Sequence, residues 1–164
     1  MRQIGLFGFP VIENEICEAI PYMGNKRKLA TKILNHIYQT VGDFENFYDL
    51  FGGGFSVTHY MIENRNDFKN YHFNEIHAPI VQLVKDAIDG KYNEKVFKPE
   101  WITREKFHEL KNIDAYIGLC WSFGNDMKTY LFGEEMERLK RPMHNAVVFD
   151  VFEKEFVDLF GFSK

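Results

Sequence analysis

The sequence predicts an α/β fold, in which a strand–helix–strand unit belongs to a parallel sheet and a mostly helical C-terminal segment follows. Two apolar, strand-like runs, 44–51 and 70–76, are each followed by a helical pattern. Three consecutive glycines, Gly52–Gly54, come just after the first run, where the first loop of such a sheet meets the next helix. We therefore expect a ligand-binding core over residues 1–90 and a helical segment over residues 91–164.

The elements of the first part follow from changes in hydrophobic period. The first twenty residues have no regular period and predict an irregular arm. Beyond them the pattern predicts helix, strand, helix, strand and helix in turn, at 25–41, 44–51, 55–67, 70–76 and 78–90. Alternation of strands and helices in this order is typical of a right-handed crossover between parallel strands.

After Gly90 the strand signal fades and helical patterns dominate. Thr103 is the expected N-cap of a short helix. The apolar run 115–123 fits either a helix or a strand, and the charged run 133–141 predicts a helix that ends at Pro142. The closing stretch 145–160 fits a strand and a helix or one long helix.

Composition and charge exclude several classes of protein. The chain has 164 residues, of which 45% are hydrophobic, and its net charge of -4 predicts only weak, salt-dependent binding to DNA. Its two cysteines, Cys17 and Cys120, form neither a metal-binding spacing nor a disulfide framework, so we expect a reducing cytoplasm and no metal. No apolar run has the length of a membrane span.

The glycine triplet predicts either a tight turn or a close approach of a ligand to the backbone. The sequence lacks the Gly-Lys-Ser/Thr ending of a phosphate loop and the G-x-G-x-x-G pattern of dinucleotide sites. With these two kinds of site excluded, the remaining candidate is a nucleoside ligand that has no pyrophosphate. Asp49 at the first strand end suits a positively charged group, and Glu75 after the second suits ribose hydroxyls. Each acidic residue, taken alone, is also typical of a solvated strand end.

Three stretches together resemble one enzyme family: "PYMGNKRKL" at 21–29, "FYDLFGGGFSV" at 47–57 and "NEIH" at 74–77. They are similar to the N-terminal half of the DNA adenine-N6 methyltransferases, S-adenosylmethionine-dependent enzymes of the Dam-like, phage-type kind. "LCWSFGNDMKTYLFG" at 119–133 resembles the beginning of the DNA-recognition region in this family. The resemblance implies a Rossmann-like parallel sheet, S-adenosylmethionine as cofactor and DNA as substrate.

The resemblance also implies roles for particular residues. An aromatic side chain packs near the cofactor, a lysine meets its carboxylate, an aspartate faces its ammonium group, a phenylalanine lines the pocket, a glycine admits the backbone, and a glutamate takes the ribose hydroxyls. In this sequence the six residues with these roles are, in the same order, Tyr22, Lys26, Asp49, Phe51, Gly53 and Glu75. One position departs from the family pattern, because Phe55 stands where the loop usually has its second glycine, with Gly54 adjacent.

The catalytic motif of the family, Asp-Pro-Pro-Tyr or a close variant, does not occur in the sequence, whose five prolines are all separated from one another. We therefore expect a truncated or split methyltransferase that is inactive alone, with a second chain as one source of the motif. The alternative is a non-catalytic module of the same fold that binds DNA, a protein partner or the cofactor. The expected DNA contacts are Arg27, Lys28 and Asn125.

Overall fold

A computed structural model describes residues 19–40, 45–64 and 68–161 of the chain. The chain divides between Val84 and Lys85 into two compact units, each with its own hydrophobic core. The elements at and before the division are α1 (Arg27–Thr40), β1 (Asn46–Asp49), α2 (Ser56–Asn64), β2 (Asn70–Phe73) and α3 (Ala78–Ile88). All five predicted elements are therefore present, with ends that differ by a few residues. Most of the predicted N-terminal arm, together with Val41, lies outside the described residues.

The two strands pair in parallel, with Asn46 opposite Asn70 and Asp49 opposite Phe73. Because the strands end level with each other, the loops that follow them leave the same edge of the sheet. Within the described residues the sheet consists of these two strands, so the wider Rossmann-like sheet expected from the sequence is not seen in this structure. Phe47 and Tyr71 pack on the first core, whose buried members are Ala30, Leu34, Tyr38, Val57, Tyr60, Met61 and Phe68.

Helices α1 and α2 are joined by buried polar contacts as well as by apolar packing. The Thr31 hydroxyl hydrogen-bonds the Tyr60 hydroxyl at 3.1 Å, and the Tyr38 hydroxyl donates to the Asn64 carbonyl at 2.9 Å. Buried side chains of α1 recur every three or four residues, as expected for one face of a helix. This face fixes α1 beside α2, and α2 begins just after the glycine loop.

The second unit is helical, as predicted. Its helices are α4 (Arg104–Leu110), α5 (Ala115–Cys120), α6 (Glu134–Phe149) and α7 (Lys154–Phe160). Thr103 is confirmed as the N-cap of α4, because its hydroxyl accepts from the Lys106 N–H at 3.3 Å. The core of this unit is aromatic-rich and consists of Ile102, Phe107, Ile117, Trp121 and Tyr130.

Two predictions in the second unit need correction or completion. Pro142 does not end a helix but lies inside α6. Pro142 and Ala146, one turn apart, are both buried, so packing on this face outweighs the loss of one helical hydrogen bond. The helix ends instead at Asp150, which adopts a left-handed conformation with φ of 60°. The stretch 145–160 is therefore the end of α6 followed by α7, which is neither of the two predicted arrangements.

The run 115–123, which fitted either a helix or a strand, forms α5 and then a short 3-10 turn at Phe123–Asn125. An isolated antiparallel bridge between Ser122 and Tyr130 closes the loop that contains this turn. Across the described ranges, no helix is long and apolar enough to cross a membrane.

Replacing Leu34 by Ala should lower the free energy of unfolding by about 2–5 kcal/mol, because the side chain is 0% exposed in the first core. Leu29→Ala, on the same helix at 50% exposure, is the matched control and should change it by about 0.5 kcal/mol or less. Urea unfolding followed by circular dichroism measures both. Equal effects of the two substitutions would contradict the burial assigned to α1.

Candidate functional site

The three glycines of the triplet are required for two different physical reasons. A Cβ on Gly52 would overlap the ring of Phe73. A Cβ on Gly54 would lie 2.8 Å from Tyr22 Cβ and 2.9 Å from the Ile20 carbonyl oxygen. Gly53 has φ of +52°, a left-handed conformation that residues with a Cβ seldom adopt. Close packing therefore accounts for two of the glycines, and backbone conformation accounts for the third.

Asn74 fastens the glycine loop to the end of β2. Its carbonyl accepts from the Gly52 N–H at 2.9 Å, and its side-chain amide donates to the Leu50 carbonyl at 2.9 Å. Its own N–H donates to the Asp49 carbonyl at 2.9 Å. The sequence interpretation missed this residue. The available signal was an amide side chain directly after a predicted strand, which is a common place for local backbone hydrogen bonds.

Glu75 binds the loop at its central glycine. Oε2 of Glu75 accepts from the Gly53 N–H at 2.9 Å, and Oε1 accepts from the His77 N–H at 3.1 Å. The Tyr22 ring lies against Gly53, since a Cβ there would be 3.5 Å from Tyr22 Cε1. Burial, followed by the charge of Glu75, raises the pKa of the Tyr22 phenol above its ordinary value, so the phenol stays protonated at neutral pH. The structure thus brings Tyr22, Gly53 and Glu75 together.

Lys26 joins this group from the start of α1. Its Nζ donates to the Phe51 carbonyl at 3.1 Å, which places a positive charge at the beginning of the loop. The ring of Phe51 is 81% exposed. Its role as part of a pocket wall stays a prediction.

Asp49 is oriented by a second residue that the sequence interpretation missed. The Thr58 hydroxyl donates to Oδ2 of Asp49 at 2.8 Å, and Thr58, on the first turn of α2, is 1% exposed. The available sequence signal was a hydroxyl side chain within the largely apolar first part of the predicted helix. Thr58 therefore holds the Asp49 carboxyl group at the end of β1.

Two of the three predicted DNA contacts are bonded to nearby backbone. The Arg27 guanidinium donates to the Ala19 carbonyl, and the Asn125 amide donates to the Leu119 carbonyl at 2.9 Å. Lys28 is exposed on α1. Contact of these residues with DNA stays a prediction.

The loop region combines acceptors and a donor that suit a zwitterionic nucleoside. A carboxylate has about four acceptor positions, so Glu75 and Asp49 keep acceptor capacity beyond the hydrogen bonds described above. Lys26 has three N–H donors, of which one is used by Phe51. In the described part of the chain, no group of three or more His, Cys, Asp or Glu side chains could hold a metal ion.

A glycine loop at the carboxyl ends of parallel strands, with an acidic residue near both strand ends, lies where open α/β sheets typically bind their ligands. This chain belongs to the D12 class N6 adenine-specific DNA methyltransferases, whose family model matches residues 22–154. The resemblance inferred from the sequence motifs is therefore confirmed. The family acts on DNA adenine, generally uses S-adenosylmethionine and implies a Rossmann-like fold. No curated protein and no solved structure matches the chain significantly.

Gly52→Ala should lower the free energy of unfolding by about 1–3 kcal/mol, because the new methyl group overlaps the Phe73 ring. Gly53→Ala has space for its Cβ and should cost only about 1 kcal/mol, from the unfavourable φ alone. The excess cost of Gly52→Ala should vanish in a Phe73→Ala background. Urea unfolding of the four variants tests this, and an equal cost of Gly52→Ala in both backgrounds would disprove the proposed overlap.

Proposed function

We propose that this chain is the cofactor-binding part of an S-adenosylmethionine-dependent DNA adenine-N6 methyltransferase. The observation that carries the proposal is the convergence of three separate segments on residues 51–53. Tyr22 packs on Gly53, Lys26 binds the Phe51 carbonyl, and Glu75 accepts from the Gly53 N–H. Membership of the methyltransferase family supports the identity of the ligand.

The polar residues of the loop region match the polar groups of this cofactor. Asp49, oriented by Thr58, would accept from the ammonium group, and Glu75 would accept from the ribose hydroxyls. Lys26 would bind the carboxylate, and Gly53 allows the cofactor to approach the backbone closely. When bound, the cofactor supplies a methyl group on a positively charged sulfur.

Apolar surface adjoins these polar groups. Phe51 is 81% exposed and Ile76, next to Glu75, is 90% exposed. Small-molecule sites are mostly apolar with a few well-placed polar groups, so these two side chains would cover a face of the adenine ring, with Tyr22 nearby. The high exposure of Ile76 adds this residue to the site predicted from the sequence.

The residues of this chain do not supply the chemistry on the target base. Methyl transfer to the exocyclic amine requires acceptors for its protons and an aromatic group that stacks on the flipped base. The family motif that provides them is absent from the sequence. We propose that this chain binds the cofactor but transfers no methyl group alone, and that a truncated or split enzyme needs the motif from another polypeptide.

The absence of the catalytic motif also supports a second candidate function, a non-catalytic module of the family that binds DNA, a protein partner or the cofactor. DNA contact through Lys28, with Arg27 and Asn125 as further candidates, would be weak because the net charge is -4. We expect this phage-type protein to act in the reducing cytoplasm, because its two cysteines form no disulfide framework.

Asp49→Asn and Glu75→Gln should each weaken binding of S-adenosylmethionine by about 1.5–3 kcal/mol, the range for hydrogen bonds to charged groups. Both substitutions keep the size of the side chain, so isothermal titration calorimetry reports on charge and not on packing. Glu63→Gln, at the far end of α2, is the matched control and should leave the affinity unchanged. Wild-type affinity in both Asp49→Asn and Glu75→Gln would contradict the roles proposed for these two residues in cofactor binding.

Purified chain should transfer no methyl group to adenine in duplex DNA, because it lacks the acceptors that hold the amine in an attacking position. Incorporation of labelled methyl groups into mixed-sequence DNA measures this, with an intact family member as positive control. Transfer that is lost in Asp49→Asn would reveal a catalytic centre within this chain. Transfer only after addition of a polypeptide with the motif would establish a split enzyme, and no transfer in either case would favour the non-catalytic module.

A further inference from the structure

Phe55 ends the glycine loop in a conformation that is unfavourable for its residue type. Its φ is +68°, in the left-handed region where bulky residues are uncommon. Its carbonyl accepts from the His59 N–H at 2.9 Å, so it occupies the N-cap position of α2, although its side chain cannot cap the helix. An energetically unfavourable residue at this position requires a compensating contact.

The ring of Phe73 provides that contact. Phe55 packs edge to face against Phe73, with ring centroids 5.1 Å apart and an interplanar angle of 86°. Gly52 lies against the same ring, close enough that a Cβ would overlap it. The Phe55 N–H donates to the Gly52 carbonyl at 3.1 Å and closes the turn between them. Both ends of the loop therefore contact one aromatic side chain at the end of β2.

Gly53 lies between these two ends. Its left-handed φ directs its N–H to Oε2 of Glu75, and its Cα faces the Tyr22 ring. If the Phe55 ring were removed, the turn would lose its aromatic contact at the α2 end, and the position of Gly53 would depend on the hydrogen bonds of the loop alone. A glycine at position 55 would tolerate the φ value but would not contact Phe73.

We infer that Phe55 is a positioning residue, which clamps the glycine loop to β2 through Phe73 and so presents Gly53 and Glu75 in a binding-competent arrangement. The inference rests on the proposed function, since it concerns the same cofactor site. A loop that is already ordered loses less conformational freedom when a ligand binds, so the clamp raises affinity without touching the ligand.

Three substitutions separate the ring contact from the backbone conformation. Phe55→Tyr keeps both and should bind S-adenosylmethionine with wild-type affinity. Phe55→Ala keeps the unfavourable φ but loses the ring, and should weaken binding about tenfold. Phe55→Gly loses the ring but tolerates the φ, and should weaken binding by a smaller factor, about threefold. Phe73→Leu, which removes the other ring of the contact, should also weaken binding of S-adenosylmethionine. Its effect should not add to that of Phe55→Ala, because both substitutions remove the same contact.

Hydrogen exchange of the Gly53 amide distinguishes positioning from general destabilisation. Loss of the clamp should speed exchange of this amide in Phe55→Ala and Phe55→Gly under conditions where the chain stays folded. Met61→Ala, a core substitution on α2 with no role in the loop, is the control. It should lower stability but leave the local exchange of Gly53 and the affinity of folded protein unchanged.

The outcomes separate this inference from the proposed function. If the wild-type chain fails to bind S-adenosylmethionine, the proposed function is wrong, and the exchange of Gly53 still decides whether the clamp exists. If the chain binds but Phe55→Ala and Phe55→Gly keep both wild-type affinity and wild-type exchange, the clamp is wrong. Tighter binding by Phe55→Gly would also overturn it, because the ring would then obstruct the site.

Discussion

The parallel pairing of β1 and β2 is the constraint on which the candidate site depends. Asp49 lies opposite Phe73, so both strands end at the same edge and the loops that follow them must meet. This register brings Asn74 and Glu75 within hydrogen-bonding distance of a loop more than twenty residues earlier in the chain. A shift of one residue would turn the side chains of β2 to the opposite face and separate these groups. The loop is ordered because the strands are in register.

Features with a local cause could be predicted from the sequence. The order of helices and strands follows from hydrophobic period, and the cap at Thr103 follows from the chemistry of a single side chain. Pro142 was placed wrongly because a local rule was outweighed by burial on α6. The sequence marks Thr58 and Asn74 as candidate polar residues, but the partners of their hydrogen bonds could not be predicted, since each depends on which backbone or carboxyl group the fold brings near. The need for a glycine at position 52 could not be predicted either, because the Phe73 ring that it contacts is distant in sequence.

Family membership and activity are separate properties of this chain. The family is defined by a match over residues 22–154, whereas methyl transfer requires groups that hold the target amine. The residues around Gly53 hydrogen-bond one another, Lys26 with the Phe51 carbonyl and Glu75 with the Gly53 N–H. Because fold and function are maintained by different residues, the packing of this loop does not depend on the groups that hold the target amine.

The close packing of Gly52 and Gly54 constrains how this loop can diverge during evolution. The Phe73 ring occupies the volume of the missing side chain at Gly52, whereas a side chain at Gly54 would meet the Tyr22 Cβ and the Ile20 carbonyl oxygen. A larger residue at position 52 is accessible only after Phe73 has become smaller, so the order of these two mutations matters. A smaller side chain at position 22 makes no such room at Gly54, because its Cβ and the Ile20 carbonyl stay in place. Among descendants of this sequence, positions 52 and 73 should therefore covary, whereas position 54 should stay glycine whatever residue stands at position 22. Gly53 is restrained by its left-handed φ and not by the Phe73 ring, so it should vary independently of position 73.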